Sequence, residues 1–265
     1  MLNGHKMSPA LLDLNQLTQL PRPIYGQAES LPNYVLDFWH SHPWVQFSYA
    51  LQGVLEVKTA RGRYVAPPQR GIWIPQGIEH RVTSQPQTVV RSLYIDSAAA
   101  PWGSTDCRVL EVNLLLRELI RAFSQLPIEY DEDSAAGRLA SVLLDQLAAA
   151  PKHDLMLPLP EDSRLKRITE QLSQHPENPT TLEQWAEQLT VSSKTLSRLF
   201  IKETGLTFRE WRQRLRLLSA LSLLEQQQPV TEVAFSCGYE SVSAFIAAFK
   251  QLFSATPKAF FDIQT

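Results

Sequence analysis

The sequence predicts an α+β protein of two domains, an N-terminal antiparallel β-barrel carrying a helical segment and an all-α C-terminal domain. Three observations point there. Short runs rich in Val, Ile and aromatic residues, broken by Gly and Pro, fill residues 35–96. After Trp102 the apolar residues recur every three to four positions, the period of a helix. Between two such helical regions lies PKHDLMLPLPEDSRL, whose prolines at 151, 158 and 160 mark a linker over residues 152–163. The expected domains are residues 1–151 and 164–265, in keeping with a chain of 265 residues, which is long for a single core.

Seven short strands are expected first: VLDFW (35–39), WVQFSYAL (44–51), VLEVKTA (54–60), GRYVA (62–66), GIWIP (71–75), HRVTS (80–84) and VVRSLYID (89–96). Gly53, Gly62, Pro67, Pro68 and Gly77 punctuate them, as in a small barrel or sandwich. Two helices should follow, over residues 108–123 and 135–150. The first carries Val109, Val112, Leu116, Leu119, Ile120 and Phe123 as an apolar stripe suited to packing a second copy of the chain.

Composition narrows the class of protein. With 44% hydrophobic and 20% charged residues the chain is globular, and its apolar runs fall far short of the roughly 20 residues that span a bilayer. Two cysteines, Cys107 and Cys237, and no signal peptide favour a reduced, cytoplasmic setting. Charge is divided unevenly. Residues 1–163 hold 13 Lys+Arg against 17 Asp+Glu, a balance of −4, whereas residues 164–265 hold 12 against 10, a balance of +2.

The C-terminal part repeats itself. Trp185, Ala186, Leu189 and Val191 match Val233, Ala234, Cys237 and Tyr239 at a constant offset of 48. Each copy places a small alanine where two helices cross and a short turn, at Thr190 or Gly238, before a second helix: the pattern of a helix-turn-helix. Between the copies, TFREWRQRLRLLSALSLLEQ has no helix breaker, and Phe208, Trp211, Leu215, Leu218 and Leu221 or Ser222 mark its inward side. Twenty residues at about 1.5 Å each give a rod of roughly 30 Å, close to the roughly 34 Å between major grooves on one face of B-DNA.

The stretch RLRLLSALSLLEQQQPVTEVAFSCGYESVSAFIAAFKQLFSATPKAFF resembles the signature of the AraC/XylS family of bacterial transcription regulators. The resemblance covers about residues 164–265. It implies a seven-helix domain that binds double-stranded DNA through two helix-turn-helix units, in an activator or a repressor. By position it carries base reading to Ser193, Lys194, Ser197 and Arg198 on the first recognition helix, with Arg198 suited to guanine. On the second, the matching Val242, Ser243, Ile246 and Ala247 mostly lack hydrogen-bonding groups. There Ser241, Ser243 and Lys250 are expected to anchor phosphates, while Val242 and Ile246 either touch thymine methyls or serve packing. Arg209, Arg212, Arg214 and Arg216 on the rod either reach the DNA backbone or form a solvated face.

In the N-terminal domain HSHPWVQF and RGIWIPQGIEHRV resemble the two motifs of the cupin barrel, with His40, His42, Gln46 and His80 at the metal-ligand positions. Gln46 stands where the family has glutamate, so the set has lost its negative charge. These residues fit a divalent ion (Zn, Ni or Fe), the polar wall of a pocket for a small-molecule effector, or satisfied core groups. A cupin enzyme would need a reactive centre, and the neutral Gln46 with no second acidic or basic constellation beside it speaks against one. The expectation is a non-enzymatic, cytoplasmic regulator, homodimeric through its central helices, that senses a small molecule or metal.

Overall fold

The computed structural model describes residues 19–26, 38–85 and 88–262. Its N-terminal half is antiparallel throughout. Strands β1 (Ile24–Tyr25), β2 (Val45–Gln52), β5 (Arg70–Ile74), β7 (Val89–Ile95), β8 (Arg108–Glu111) and β9 (Lys152–His153) form one sheet in the order β1-β7-β2-β5-β8-β9. The second sheet runs β10-β4-β3-β6, from β3 (Leu55–Thr59), β4 (Gly62–Ala66), β6 (His80–Ser84) and β10 (Met156–Pro158).

Side-chain alternation on β2 explains why this sheet is buried on both faces. Ala50 joins Leu55, Val57, Val65, Ile72, Ile74 and Val82 in the interior between the sheets. Phe47 and Tyr49 point the other way and pack with Leu93, Ile95 and Leu110 beneath α1 (Leu114–Phe123) and α2 (Ala135–Ala149). Leu116, Ile120 and Phe123 of α1 and Leu143 and Leu147 of α2 close that layer. The stripe expected to face a second copy is therefore spent on the chain's own sheet. Val112 is buried with it, Val109 is buried on the other face among the side chains between the sheets, and the exposed apolar side chains of these helices are instead Leu114, Leu115 and Val142.

Two other expectations change. The helix expected from residue 108 begins only at Leu114, because Arg108–Glu111 pairs with β5 and Asn113 caps the helix by accepting from the Leu116 amide. The segment expected to be linker is strand in part: β9 pairs with β8, β10 pairs with β4, and the Leu155 carbonyl accepts from the Val65 amide. Of VLDFW, residues 35–37 lie outside the described residues, and Phe38 and Trp39 are not in a strand.

Seven helices follow: α3 (Ser163–Gln174), α4 (Leu182–Gln188), α5 (Ser193–Thr204), α6 (Phe208–Glu225), α7 (Val230–Ser236), α8 (Val242–Phe253) and α9 (Pro257–Asp262). The axis of this domain is α6, which starts at a reciprocal capping box between Thr207 and Glu210. Its 18 residues give about 27 Å of rod at 1.5 Å each. Leu217, Ala220 and Leu224 are buried as well as the expected stripe, since α6 is packed on several sides. One of those sides is the β domain. Trp211 Nε1 donates to the Pro158 carbonyl (2.7 Å), Arg214 pairs with Asp154 and donates to the Met156 carbonyl (3.1 Å), and Glu225 Oε1 accepts from the Gly53 amide (2.7 Å). A single apolar cluster runs from the interior between the sheets into the helical core.

Candidate nucleic-acid interface and histidine cluster

The two helix-turn-helix units are built alike down to the backbone. In the first, the Thr190 amide donates to the Glu187 carbonyl and the Val191 amide to that of Ala186; in the second, Gly238 donates to Phe235 and Tyr239 to Ala234. Thr190 and Gly238 are both left-handed, with φ of 55° and 77°. One extra residue, Glu240, then shifts the register to 49. Ser192 caps α5 by accepting from the Thr195 amide, and Ser241 caps α8 by accepting from that of Ala244. Leu196 and Phe200 on α5, and Phe245 and Phe249 on α8, fasten each recognition helix to the core.

This anchoring decides which side chains are free to touch a partner. Ser193, Lys194 and Arg198 are exposed on α5, and Ser197 is half-buried. On α8, Ser243 and Lys250 are exposed together with the cap Ser241, whereas Val242 and Ile246 are half-buried and pack on the core. Spacing also picks out a residue not anticipated: Lys202, four positions beyond Arg198 and exposed, completes a row Lys194, Arg198, Lys202 on one helix face. At the matching places α8 has Ser243, Ala247 and Gln251. On this face the first recognition helix is thus basic and the second uncharged, its lysine, Lys250, standing outside the row. Beside Arg198 and Lys202, Ile201 stands exposed and lines the same recess.

Three of the four arginines on α6 are committed elsewhere. Arg212 donates to the Thr180 carbonyl (3.1 Å) and lies over the Phe208 ring, Arg216 Nε donates to the Pro176 carbonyl (2.8 Å), and Arg214 holds the β domain. Arg209 is exposed.

At one end of the β domain, His40, His42 and His80 come together as expected. The histidines of the first pair lie on the extended lead-in to β2, not within it. His40 and His80 exchange backbone hydrogen bonds (3.0 and 2.9 Å), and the His42 carbonyl accepts from the Gly77 amide (2.9 Å). Ring centroids are 4.3 Å apart for His40 and His80 and 5.2 Å for His42 and His80. Each Nδ1 faces a backbone carbonyl: Phe38 for His40 (3.0 Å), Trp44 for His42 (2.8 Å) and Ile78 for His80 (2.8 Å). A carbonyl only accepts, so each Nδ1 carries its hydrogen and Nε2 is left to the cluster. His42 Nε2 lies 2.8 Å from Gln46 Oε1, Gln46 Nε2 donates to Ser48 Oγ, and Ser48 meets Ser92 at 2.6 Å. His80 Nε2 is buried without a partner. Burial pushes the His80 pKa down to about 4 and lowers that of His42, so in the absence of a bound cation burial favours their neutral forms.

Residues 23–148 match the AraC-like ligand binding domain family, and residues 185–262 match a helix-turn-helix domain family. The HTH-type transcriptional regulator NimR of Escherichia coli K12 is 34% identical over 218 residues, which is 82% of this chain and 80% of NimR. The chain belongs to the AraC family. The HTH-type transcriptional activator RhaS of Escherichia fergusonii is 32% identical over 146 residues, 54% of this chain and 52% of RhaS. The crystal structure of ToxT from Vibrio cholerae aligns with 92% of this chain and 97% of that one, at 14% identity and a TM-score of 0.39. Membership makes this AraC-family chain a DNA-binding transcription regulator with a ligand-binding domain. No helix among the described residues is long and apolar enough to cross a membrane.

Proposed function

We propose that this AraC-family chain is a cytoplasmic, non-enzymatic regulator whose β domain senses a small-molecule effector and adjusts DNA binding by the two helix-turn-helix units. One observation carries the reading: α6, which spaces the recognition helices, is bonded to the sensor through Trp211, Arg214 and Glu225. An effector that favours one packing of the β domain against α6 shifts the balance between DNA-competent and incompetent arrangements, by no more than its differential affinity for them.

On the DNA, Arg198 pairs with a guanine edge, Lys194 and Ser193 with bases or phosphates, and Ser197 contributes at the helix margin. Ser241, Ser243 and Lys250 anchor the second unit to phosphates, and Val242 and Ile246 chiefly fasten α8 while offering apolar contact to a thymine methyl. The effector site lies at the histidine end of the β domain, where His40, His42, Gln46 and His80 meet. The protein acts as a homodimer, for which the exposed Leu114, Leu115 and Val142 are the available apolar surface.

The deciding experiment is a fluorescence-anisotropy titration of the full chain against the DNA upstream of its own gene and a scrambled duplex at physiological salt. Preference for the upstream DNA by at least about 10³ is the expected result for a specific regulator. Equal affinity for the two would overturn the reading.

A further inference from the structure

We propose that the cleft between α6 and α8, walled by Arg209, Arg212, Arg216 and Tyr239, takes one phosphate of the DNA backbone where the two helix-turn-helix units meet, a contact beyond those assigned to Ser241, Ser243 and Lys250. This site does not depend on what the β domain senses.

Shape is the first argument. Two small residues of α8, Ala244 and Ala248, stand opposite the arginine side of α6 and leave a cleft of about 310 Å³ between the helices, room enough for a phosphate group. Arg209, Arg212 and Arg216 fall three and four positions apart, so they share that side of α6.

Charge is the second. Among the described residues none of the three pairs with a carboxylate. Arg209 is exposed and makes no hydrogen bond, Arg212 gives one N–H to the Thr180 carbonyl and lies over the Phe208 ring, and Arg216 donates to the carbonyls of Pro176 and Asn178. Those carbonyls fix the guanidinium groups in place without neutralising them, and most of their N–H donors stay unused. Burial, and after it the charge of Arg216, pushes the Arg212 pKa down, so an anion placed between the two is favoured. Glu177 and Glu240 offset Arg216 only through space. The Tyr239 hydroxyl, buried and without a partner, adds an unmet donor to the same wall. Guanidinium groups and a hydroxyl that lack an acceptor are a donor set for a phosphate.

Position is the third, and it selects the source of the phosphate. Arg212 and Arg216 hold the segment that leads into α4, whose cap is Thr181, and Tyr239 stands two residues before Ser241, the cap of α8. The two lead-ins touch, since a Cβ at Gly238 would lie 2.7 Å from the Glu177 Cα. In helix-turn-helix docking the first helix crosses the DNA backbone and the recognition helix enters the groove by its N-terminal residues, so both of these ends face the duplex. The exposed row of α8 carries no charge, and a cationic cleft beside it supplies the attraction that α5 has from Lys194, Arg198 and Lys202.

The test is a fluorescence-anisotropy titration of the full chain on the DNA upstream of its own gene and on a scrambled duplex, over a salt series. Arg209→Gln gives up no bond in the free protein and should melt like the wild type, yet bind both duplexes about fivefold more weakly, with the salt slope lower by about 1. Tyr239→Phe keeps the ring and should lose at least about threefold on both. A single neutral methylphosphonate, moved one position at a time along the duplex that the chain prefers, should cost the wild type about fivefold at one position between the two contacted grooves and cost Arg209→Gln nothing further there. Millimolar inorganic phosphate should not saturate the DNA-free chain in calorimetry. Either variant binding both duplexes like the wild type, or a sensitive position that stays sensitive in Arg209→Gln, would overturn the proposal. Saturable phosphate binding that Arg209→Gln abolishes would do so as well, by giving the cleft to a free anion. Should the chain prefer neither duplex, which counts against the regulator reading, the losses of the two variants on both still decide.

Discussion

Thr190 and Gly238 occupy the same left-handed backbone position in the two helix-turn-helix turns, at φ of 55° and 77°. Glycine takes this conformation freely, and a β-branched residue there carries a steric cost of about 1–2 kcal/mol. Thr190→Gly is therefore expected to stabilise the chain by about 0.5–1 kcal/mol, the relief being offset in part by the greater freedom of glycine in the unfolded state. Gly238→Ala should destabilise by about 2 kcal/mol or more, since its Cβ would come within 2.6 Å of Arg216 Nη2 and 2.7 Å of the Glu177 Cα as well as meeting the backbone penalty. Urea unfolding of the three proteins measures both, and destabilisation by Thr190→Gly would contradict the account.

The basic row on α5 separates two kinds of DNA contact. Arg198→Ala should cost about 1–3 kcal/mol and relax preference at one base pair, whereas Lys202→Ala should weaken all duplexes alike and lower the salt slope by about 1. Ser243→Ala should change little. Anisotropy titrations over a salt series check this, with equal losses for Arg198→Ala and Ser243→Ala the contrary outcome.

Glu225 ties the C-terminal end of α6 to the β2–β3 turn. Glu225→Ala leaves the buried Gly53 amide without its charged acceptor and should lower stability by about 1–3 kcal/mol. Hydrogen exchange at Gly53 should accelerate at the same time. Unchanged exchange there would show that the contact does not hold the two domains together.

Acid sensitivity has a defined origin at Asp162. The Arg164 side chain, followed by the backbone amide it caps at the start of α3, holds its pKa down to about 2. A carboxylate depressed in the folded state contributes stability that is complete above its unfolded pKa of about 3.9 and disappears as pH falls toward 2. Asp162→Asn should keep the cap but flatten the fall in melting temperature between pH 5 and pH 3. An identical pH profile in the two proteins would count against this.

Leu114 and Leu115, 66% and 53% exposed, are costly to leave in water unless covered. Leu115→Glu should convert a sedimenting dimer to monomer at micromolar concentration. A wild-type chain that sediments as monomer removes the dimer.

Much of this arrangement was legible in the residues. The repeat could be read because Ala186 and Ala234 sit where helices cross and Leu196, Phe200, Phe245 and Phe249 keep helical spacing, so the same packing problem is solved twice. The histidine cluster could be read from the resemblance to the two cupin motifs, although the Nδ1–carbonyl bonds and the facing of Gln46 by His42 depend on backbone that a motif does not reveal. β8 was concealed because its apolar residues run into those of α1, and only Asn113 separates the periods. β10 was concealed by Pro158, which is tolerated because that strand lies at a sheet edge. The α6 arginines looked like surface because their partners are carbonyls of distant segments, such as those of Pro176 and Thr180.

Two reading heads that differ in charge, one with Lys194, Arg198 and Lys202 and the other with Ser243, Ala247 and Gln251, give each subunit a polarity along the duplex. Turning a half-site end for end would swap which head meets which bases, and would carry the sensor to the opposite flank of the site. For a protein so made, the compass bearing of an operator matters as much as its letters.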